Sequence, residues 1–151
     1  MTDQEILNLI NQTEQAVLKA GEAIMDIYSN EEDFGIESKQ DDSPLTKADK
    51  AANEILCEHL IALDNSIPII SEENKNLEYE SRKDWTYCWL VDPLDGTKEF
   101  IKRNGDFTVN VALICDGEVV AGIVYAPAIE EYYYAVKDIG AFRRKENEDV
   151  R

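Results

Sequence analysis

Trp89-Leu90-Val91-Asp92-Pro93-Leu94-Asp95-Gly96-Thr97 is the stretch on which the reading of this chain turns. Its opening residues close a run, Trp85-Thr86-Tyr87-Cys88-Trp89-Leu90-Val91, whose aromatic and β-branched side chains predict a strand. Two carboxylates, Asp92 and Asp95, follow at once, three residues apart. Pro93 fixes its own φ and donates no hydrogen bond, and Gly96 permits a close backbone approach to a ligand. The acids are therefore expected on a stiff turn with the Leu94 carbonyl between them. Hard divalent cations need such all-oxygen sets, and magnesium typically takes one or two carboxylates plus a substrate phosphate. A helical turn opening at Gly96-Thr97 would aim free N–H groups outward and favour an anion at the same place. Asp-Pro and Asp-Gly are also ordinary turn formers, so a plain loop stays open on these residues alone.

Spacing separates this stretch from two rivals. A calcium EF-hand loop wants ligands at positions 1, 3 and 5, which Asp92 and Asp95 do not supply. The haloacid-dehalogenase phosphatases carry Asp-x-Asp-Gly-Thr, whose nucleophile and partner are two residues apart rather than three. The extra residue points away from an aspartyl-phosphate and toward carboxylates that hold metal ions while water attacks.

Working outward, Ile6, Leu9, Ile10, Val17, Ala20, Ile24 and Ile27 repeat at helical spacing and predict a long first helix. Residues 34–45 read as a short extended segment or hairpin followed by a loop. A second helix is expected from Thr46, with Ala52, Ile55, Leu56, Leu60 and Leu63 on one side and a stop at Asn65 and Pro68. Ile67 to Ile70 is a short buried-strand candidate, and 71–84 reads as a polar loop. Phe107 to Ile114 and Glu118 to Tyr125 flank Asp116-Gly117, a hairpin signal. Tyr132 to Val136 and Ala141-Phe142-Arg143 complete the expected strands. The order predicts an α+β fold, two helices layered on one face of a largely antiparallel sheet, with 1–151 as one unit.

Composition narrows the function classes. With 32 Asp and Glu against 15 Lys and Arg, the formal charge is -17, which disfavours nucleic-acid polymers as partners. No signal-like or membrane-spanning apolar run is visible, so a cytosolic protein is expected. Cys57, Cys88 and Cys115 are odd in number and far apart, and are expected to be buried free thiols. His59, the single histidine, reads as structural or exposed rather than catalytic. Ser71-Glu72-Glu73-Asn74 looks like a helix cap or an exposed turn that a neighbouring strand could bring beside Asp92. Thr46-Lys47-Ala48-Asp49 matches a capping box.

Taken together, Ser43-Pro44-Leu45-Thr46-Lys47-Ala48-Asp49, Ile70-Ser71-Glu72-Glu73 and the run from Trp89 to Asn110 resemble the inositol-monophosphatase superfamily of magnesium-dependent, lithium-sensitive phosphatases. Lys98 to Asn104 is most similar to its CysQ-type, 3'(2'),5'-bisphosphate nucleotidase branch. The resemblance implies a layered α/β sugar-phosphatase fold and two or three magnesium ions. It implies Glu72, Asp92 and the Leu94 carbonyl at the first metal, with Asp92 and Asp95 at the second. It further implies that Thr97, paired with Asp49, orients and deprotonates the attacking water with help from Glu72. Glu72, Leu94, Asp95, Gly96 and Thr97 would border the substrate, a small phosphorylated nucleotide, with the N–H groups of Gly96 and Thr97 on its phosphate. The segment from Asp33 to Pro44 corresponds to a mobile stretch whose acids help a loosely held metal. Members are about twice this length, and the Trp-Asp-x-Ala-Ala segment that completes their second metal site has no counterpart here. The C-terminal half of the family fold is thus expected to be absent, and the 151 residues alone to bind magnesium weakly and to hydrolyse little. Within the family an inositol- or sugar-phosphate phosphatase is the alternative; outside it, a non-catalytic acidic interaction domain. The resemblance also implies a cytoplasmic monomer or homodimer, with peripheral attachment at an inner membrane as a further expectation.

Overall fold

A computed structural model describes residues 1–30, 32–145 and 148–151 of the chain, without the side chain of Lys145. Helix α1 (Asp3–Asn30) is followed by the two-residue strands β1 (Glu37–Ser38) and β2 (Pro44–Leu45), and by α2 (Lys47–Leu63). Next come β3 (Ile69–Ser71), the short α3 (Tyr79–Arg82), β4 (Tyr87–Asp95) and α4 (Thr97–Ile101). Strands β5 (Thr108–Cys115), β6 (Glu118–Ala126), β7 (Glu131–Val136), β8 (Gly140–Lys145) and β9 (Glu148–Val150) end the order. β1 and β2 pair as a small hairpin; β3 to β9 form one sheet in sequence order. Only β3 and β4 run parallel, and every other neighbouring pair in that sheet is antiparallel.

The helix layer follows from periodicity. α1 buries Ile6, Ile10, Thr13, Val17, Ala20 and Ile24, spaced by three and four, so a single stripe meets the sheet. Its Gly21 allows close approach to β6: a Cβ there would lie 2.4 Å from a ring carbon of Tyr125. α2 buries Ala48, Ala52, Leu56 and Leu60. Against them the sheet sets Trp89, Val91, Val109, Val111, Leu113, Ala121 and Ile123, every second residue along each strand. Each large side chain so removed from water contributes roughly 1.5–3 kcal/mol.

The opposite face of the same sheet is open. Leu90 is 47% and Val124 44% exposed, and Ile70, Ala112, Gly122, Tyr133 and Ala135 share that face with them. Both long helices lie on the other side, so an apolar surface spans β3 to β7 with no layer upon it among the described residues.

Several expectations are corrected in detail. The polar stretch 71–84 holds the one-turn helix α3. β8 is not the last strand, since β9 pairs with it through Arg143 and Val150. The thiols are half-buried rather than buried; Cys88 and Cys115 lie on adjacent strands, but Cys88 pairs with Ile114 and Cys115 with Tyr87, so their side chains leave opposite faces. His59 Nε2 lies 3.0 Å from the Gln12 carbonyl, a structural contact as expected. The Asp116-Gly117 hairpin is present, with positive φ at both residues (48° and 82°).

Candidate active site

The site gathers at the end of β4, where three segments distant in sequence meet. Along β4 and β5, Asp92 pairs with Asn110 and Asp95 with Thr108, so three steps on β4 oppose two on β5. That one-residue bulge decides the geometry. In a regular strand two residues three apart point to opposite faces, whereas here Asp92 and Asp95 pair with residues two apart and share one face. Pro93 suits the bulge because it has no N–H for the ladder. The expected stiff turn is in fact a bulged strand end.

Parallel pairing supplies the next acid. Ser71 sits opposite Val91, and the Glu72 N–H donates to the Val91 carbonyl at 3.1 Å, which sets Glu72 beside Asp92. The Ser71 hydroxyl donates to Asn53 of α2 at 2.5 Å, so this turn is tied to the helix layer.

From α2 comes Asp49, fully buried. The capping box is real: the Thr46 N–H donates to Asp49 Oδ2 at 2.8 Å, and the Thr46 hydroxyl lies 2.6 Å from the same oxygen. Its other oxygen, Oδ1, accepts from the Thr97 hydroxyl at 2.8 Å. One carboxylate therefore caps a helix and reaches the start of α4. Thr97 Oγ1 also lies 3.3 Å from the Leu94 carbonyl oxygen.

Gly96 makes the corner between Asp95 and Thr97. It has φ +93°, and a Cβ would stand 2.7 Å from the Asp106 carbonyl oxygen. α4 spans only five residues, too few to sum a full macrodipole, so an anion here would depend on individual N–H groups. Phe100 anchors it, with its ring 4.6 Å from Phe34 and 5.3 Å from Phe107.

The electrostatics single out Asp92. Burial, a hydrogen bond with Glu72 and the charges of Glu72 and Asp95 push its carboxyl up to about 7, against a smaller opposing bond from the Leu94 backbone. Its Oδ1 is buried with no donor among the described residues. Asp95 is held by the Asn110 amide, which donates to Oδ2 at 3.0 Å, and the Thr108 hydroxyl in turn donates to Asn110. Burial also raises Glu73, and the ammonium of Lys39, 2.6 Å away, offsets only part of the rise.

Glu72, Asp92, Asp95, Leu94, Gly96, Thr97 and Asp49 are thus all brought to one corner. No cluster of three or more His, Cys, Asp or Glu close enough to hold a metal ion is formed among the described residues. The donor chemistry nevertheless fits a hard divalent cation: a buried carboxylate oxygen without a donor, flanking acids and a backbone carbonyl. Asn110, Lys39 and Glu73 carry no separate role in the sequence reading. The polar alternation Thr108, Asn110 along β5 is a signal for the first; nothing local marks Lys39.

A two-helix layer on a mixed sheet, with acids at a bulged strand end facing a short helix, defines a layered α/β class already known from solved structures. The extragenic suppressor protein suhB from Bartonella henselae superposes with a TM-score of 0.80 at 28% identity, over 91% of this chain and 52% of that one. CysQ from Bacteroides thetaiotaomicron, described as a bacterial member of the inositol monophosphatase family, does so with 0.73 at 43% identity, over 95% and 52%. The model of the inositol monophosphatase family matches residues 5–150, and the chain belongs to that family. Among curated relatives, the 3'(2'),5'-bisphosphate nucleotidase CysQ of Salmonella typhimurium is 50% identical over 129 residues, and that of Escherichia coli K12 46%. The chain spans about half the length of these relatives, 52% in each case.

Proposed function

We propose that these 151 residues are the N-terminal, motif-bearing half of a magnesium-dependent, lithium-sensitive phosphatase that converts adenosine 3',5'-bisphosphate to AMP and phosphate. The observation that carries this reading is the convergence of Glu72, Asp92 and Asp95 on one corner with a buried oxygen of Asp92 left without a donor. The 43–50% identity to proteins named CysQ supports the nucleotidase branch over the inositol phosphatases.

Of two or three magnesium ions, Glu72, Asp92 and the Leu94 carbonyl would hold the first, and Asp92 with Asp95 the second. Bound there, the ions would lower the pKa of a water and neutralise charge on the phosphate. The chain's own residues do the positioning. Asp49 accepts from Thr97 and so holds its hydroxyl oxygen ready to accept a hydrogen bond from the attacking water, fixing its direction. Thr97 with Asp49 takes up the water's proton, and Glu72, half exposed beside Asp92, assists. The N–H groups of Gly96 and Thr97 bind phosphate oxygens. Asn110 fixes one oxygen of Asp95 and leaves the other for a cation.

The open face of the sheet, on which Asp92 and Asn110 lie, supports a site completed by the other half of the family fold, and the isolated 151 residues would then turn over little. A cytoplasmic location is part of the same reading; among the described residues no helix is long and apolar enough to cross a membrane. Self-pairing of the chain, as a homodimer, belongs to the same proposal. Joining the chain to the C-terminal half of the Salmonella relative and assaying adenosine 3',5'-bisphosphate beside inositol 1-phosphate tests the substrate. Preference for the nucleotide supports the proposal, and preference for the inositol ester overturns it.

A further inference from the structure

Glu72 and Glu73 are adjacent acids at the end of β3, and the fold treats them differently. The Glu73 side chain is 6% exposed, and its Oε1 accepts from Lys39 Nζ at 2.6 Å. The Glu72 side chain is 51% exposed, and its Oε1 lies 3.6 Å from the same ammonium. Lys39 arrives from a separate part of the chain, at the turn of the β1–β2 hairpin. There its N–H donates to the Ser43 carbonyl at 2.8 Å and its carbonyl accepts from the Asp42 N–H at 3.0 Å. A second ion pair, Lys50 to Glu37 at 3.0 Å, ties that hairpin to α2. Glu73 is fixed from its own side as well, since its N–H donates to the Ser71 hydroxyl at 3.3 Å.

A divalent cation beside Asp92 attracts any ionised carboxylate within reach, and two neighbouring acids offer it a choice. Recruiting Glu73 means separating a short, largely buried ion pair and leaving an ammonium without its counter-charge. Recruiting Glu72 means turning an exposed side chain that already touches Asp92. We infer that Lys39 is a positioning residue of the cation site: it takes Glu73 as its standing partner and so leaves Glu72 as the acid that joins Asp92. The inference rests on the cation site proposed above and assigns, within it, which of two adjacent carboxylates serves.

The test uses the 151-residue chain and Mn2+ alone, counting free ion by electron paramagnetic resonance at fixed pH and ionic strength, with circular dichroism of every variant. Glu72→Gln is expected to weaken Mn2+ binding about tenfold, and Glu73→Gln, which frees the Lys39 ammonium to compete at Glu72 3.6 Å away, to weaken it by no more than about threefold. Lys39→Arg keeps the ion pair and the unaltered affinity. Lys39→Gln combined with Glu72→Gln regains part of the binding lost in Glu72→Gln, about threefold or more, because Glu73 is released to substitute. Glu73→Gln as damaging as Glu72→Gln overturns the inference, and so does a folded double variant no better than Glu72→Gln. The Glu73→Gln arm decides by itself if the double variant does not fold. Asp92→Asn separates the two levels: if it and Glu72→Gln both bind as the unaltered chain does, or if that chain takes up no Mn2+, the cation site itself falls.

Discussion

The Thr97 hydroxyl donates to Asp49 Oδ1 at 2.8 Å, joining the first residue of α4 to the first turn of α2 across 48 positions of sequence. Asp49 is fully buried and its other oxygen is occupied by Thr46, so Thr97→Ala leaves half of a buried carboxylate without a donor. The expected loss is about 1–3 kcal/mol of unfolding free energy, read by urea denaturation. Thr97→Ser keeps the hydroxyl and should recover most of it. Asp49→Ala removes the helix cap too, adding about 1 kcal/mol.

Stability should fall as pH rises through neutrality. Asp92 ionises at about 7 in the folded chain, held up by burial, its hydrogen bond with Glu72 and the charges of Glu72 and Asp95. In an unfolded chain an Asp ionises near 3.9, so the unfolded state sheds this proton first. The contribution is fully present below about pH 4 and is lost as pH climbs through about 7. Urea midpoints measured without divalent cation should decline between pH 5 and 8, and Asp92→Asn should flatten that decline. Magnesium, which binds the ionised form, should restore stability at pH 8 more than at pH 5.

Gly96→Ala should damage the corner directly. Its φ of +93° disfavours any side chain, and the new Cβ would press to 2.7 Å from the Asp106 carbonyl oxygen. A cost of about 1–3 kcal/mol is expected, larger than that of Gly117→Ala, where φ is +82° but no atom lies within 4 Å. Thermal melts of the two variants make the comparison.

The open sheet face should behave as surface in this chain. Leu90→Lys and Val124→Lys, at positions 47% and 44% exposed, are expected to shift stability by less than about 1 kcal/mol. They should also reduce binding of an apolar fluorescent dye and self-association by light scattering. Val111→Lys, on the covered face of the neighbouring strand, should unfold the chain.

Local signals carried much of this architecture. The stripe of α1, the Thr46 capping box, the Asp116-Gly117 turn and the short helix after Gly96 are all written in neighbouring residues, and all appear where those residues place them. What stayed hidden depends on pairing. Spacing of three between Asp92 and Asp95 does not reveal that a bulge puts both on one face, although Pro93 hints at an interrupted ladder. Glu72 beside Asp92 follows from a parallel register that no local pattern fixes. The unequal pairing of Glu72 and Glu73 with Lys39, more than 30 residues upstream, is a tertiary contact, so adjacency alone cannot tell the two acids apart. β9 escaped notice because Glu148-Asp149-Val150 shows no alternation and pairs only at the sheet edge.

The central claim is that this chain supplies the metal-holding acids of a bisphosphate nucleotidase. Its most direct test is magnesium-dependent phosphate release from adenosine 3',5'-bisphosphate by residues 1–151 joined to the C-terminal half of the Salmonella relative, with and without Asp95→Asn. The account predicts release that needs magnesium and falls about a hundredfold or more in the variant, since an underliganded ion no longer stabilises the reacting phosphate. A folded chimera that releases no phosphate, or one whose activity survives Asp95→Asn unchanged, would contradict it.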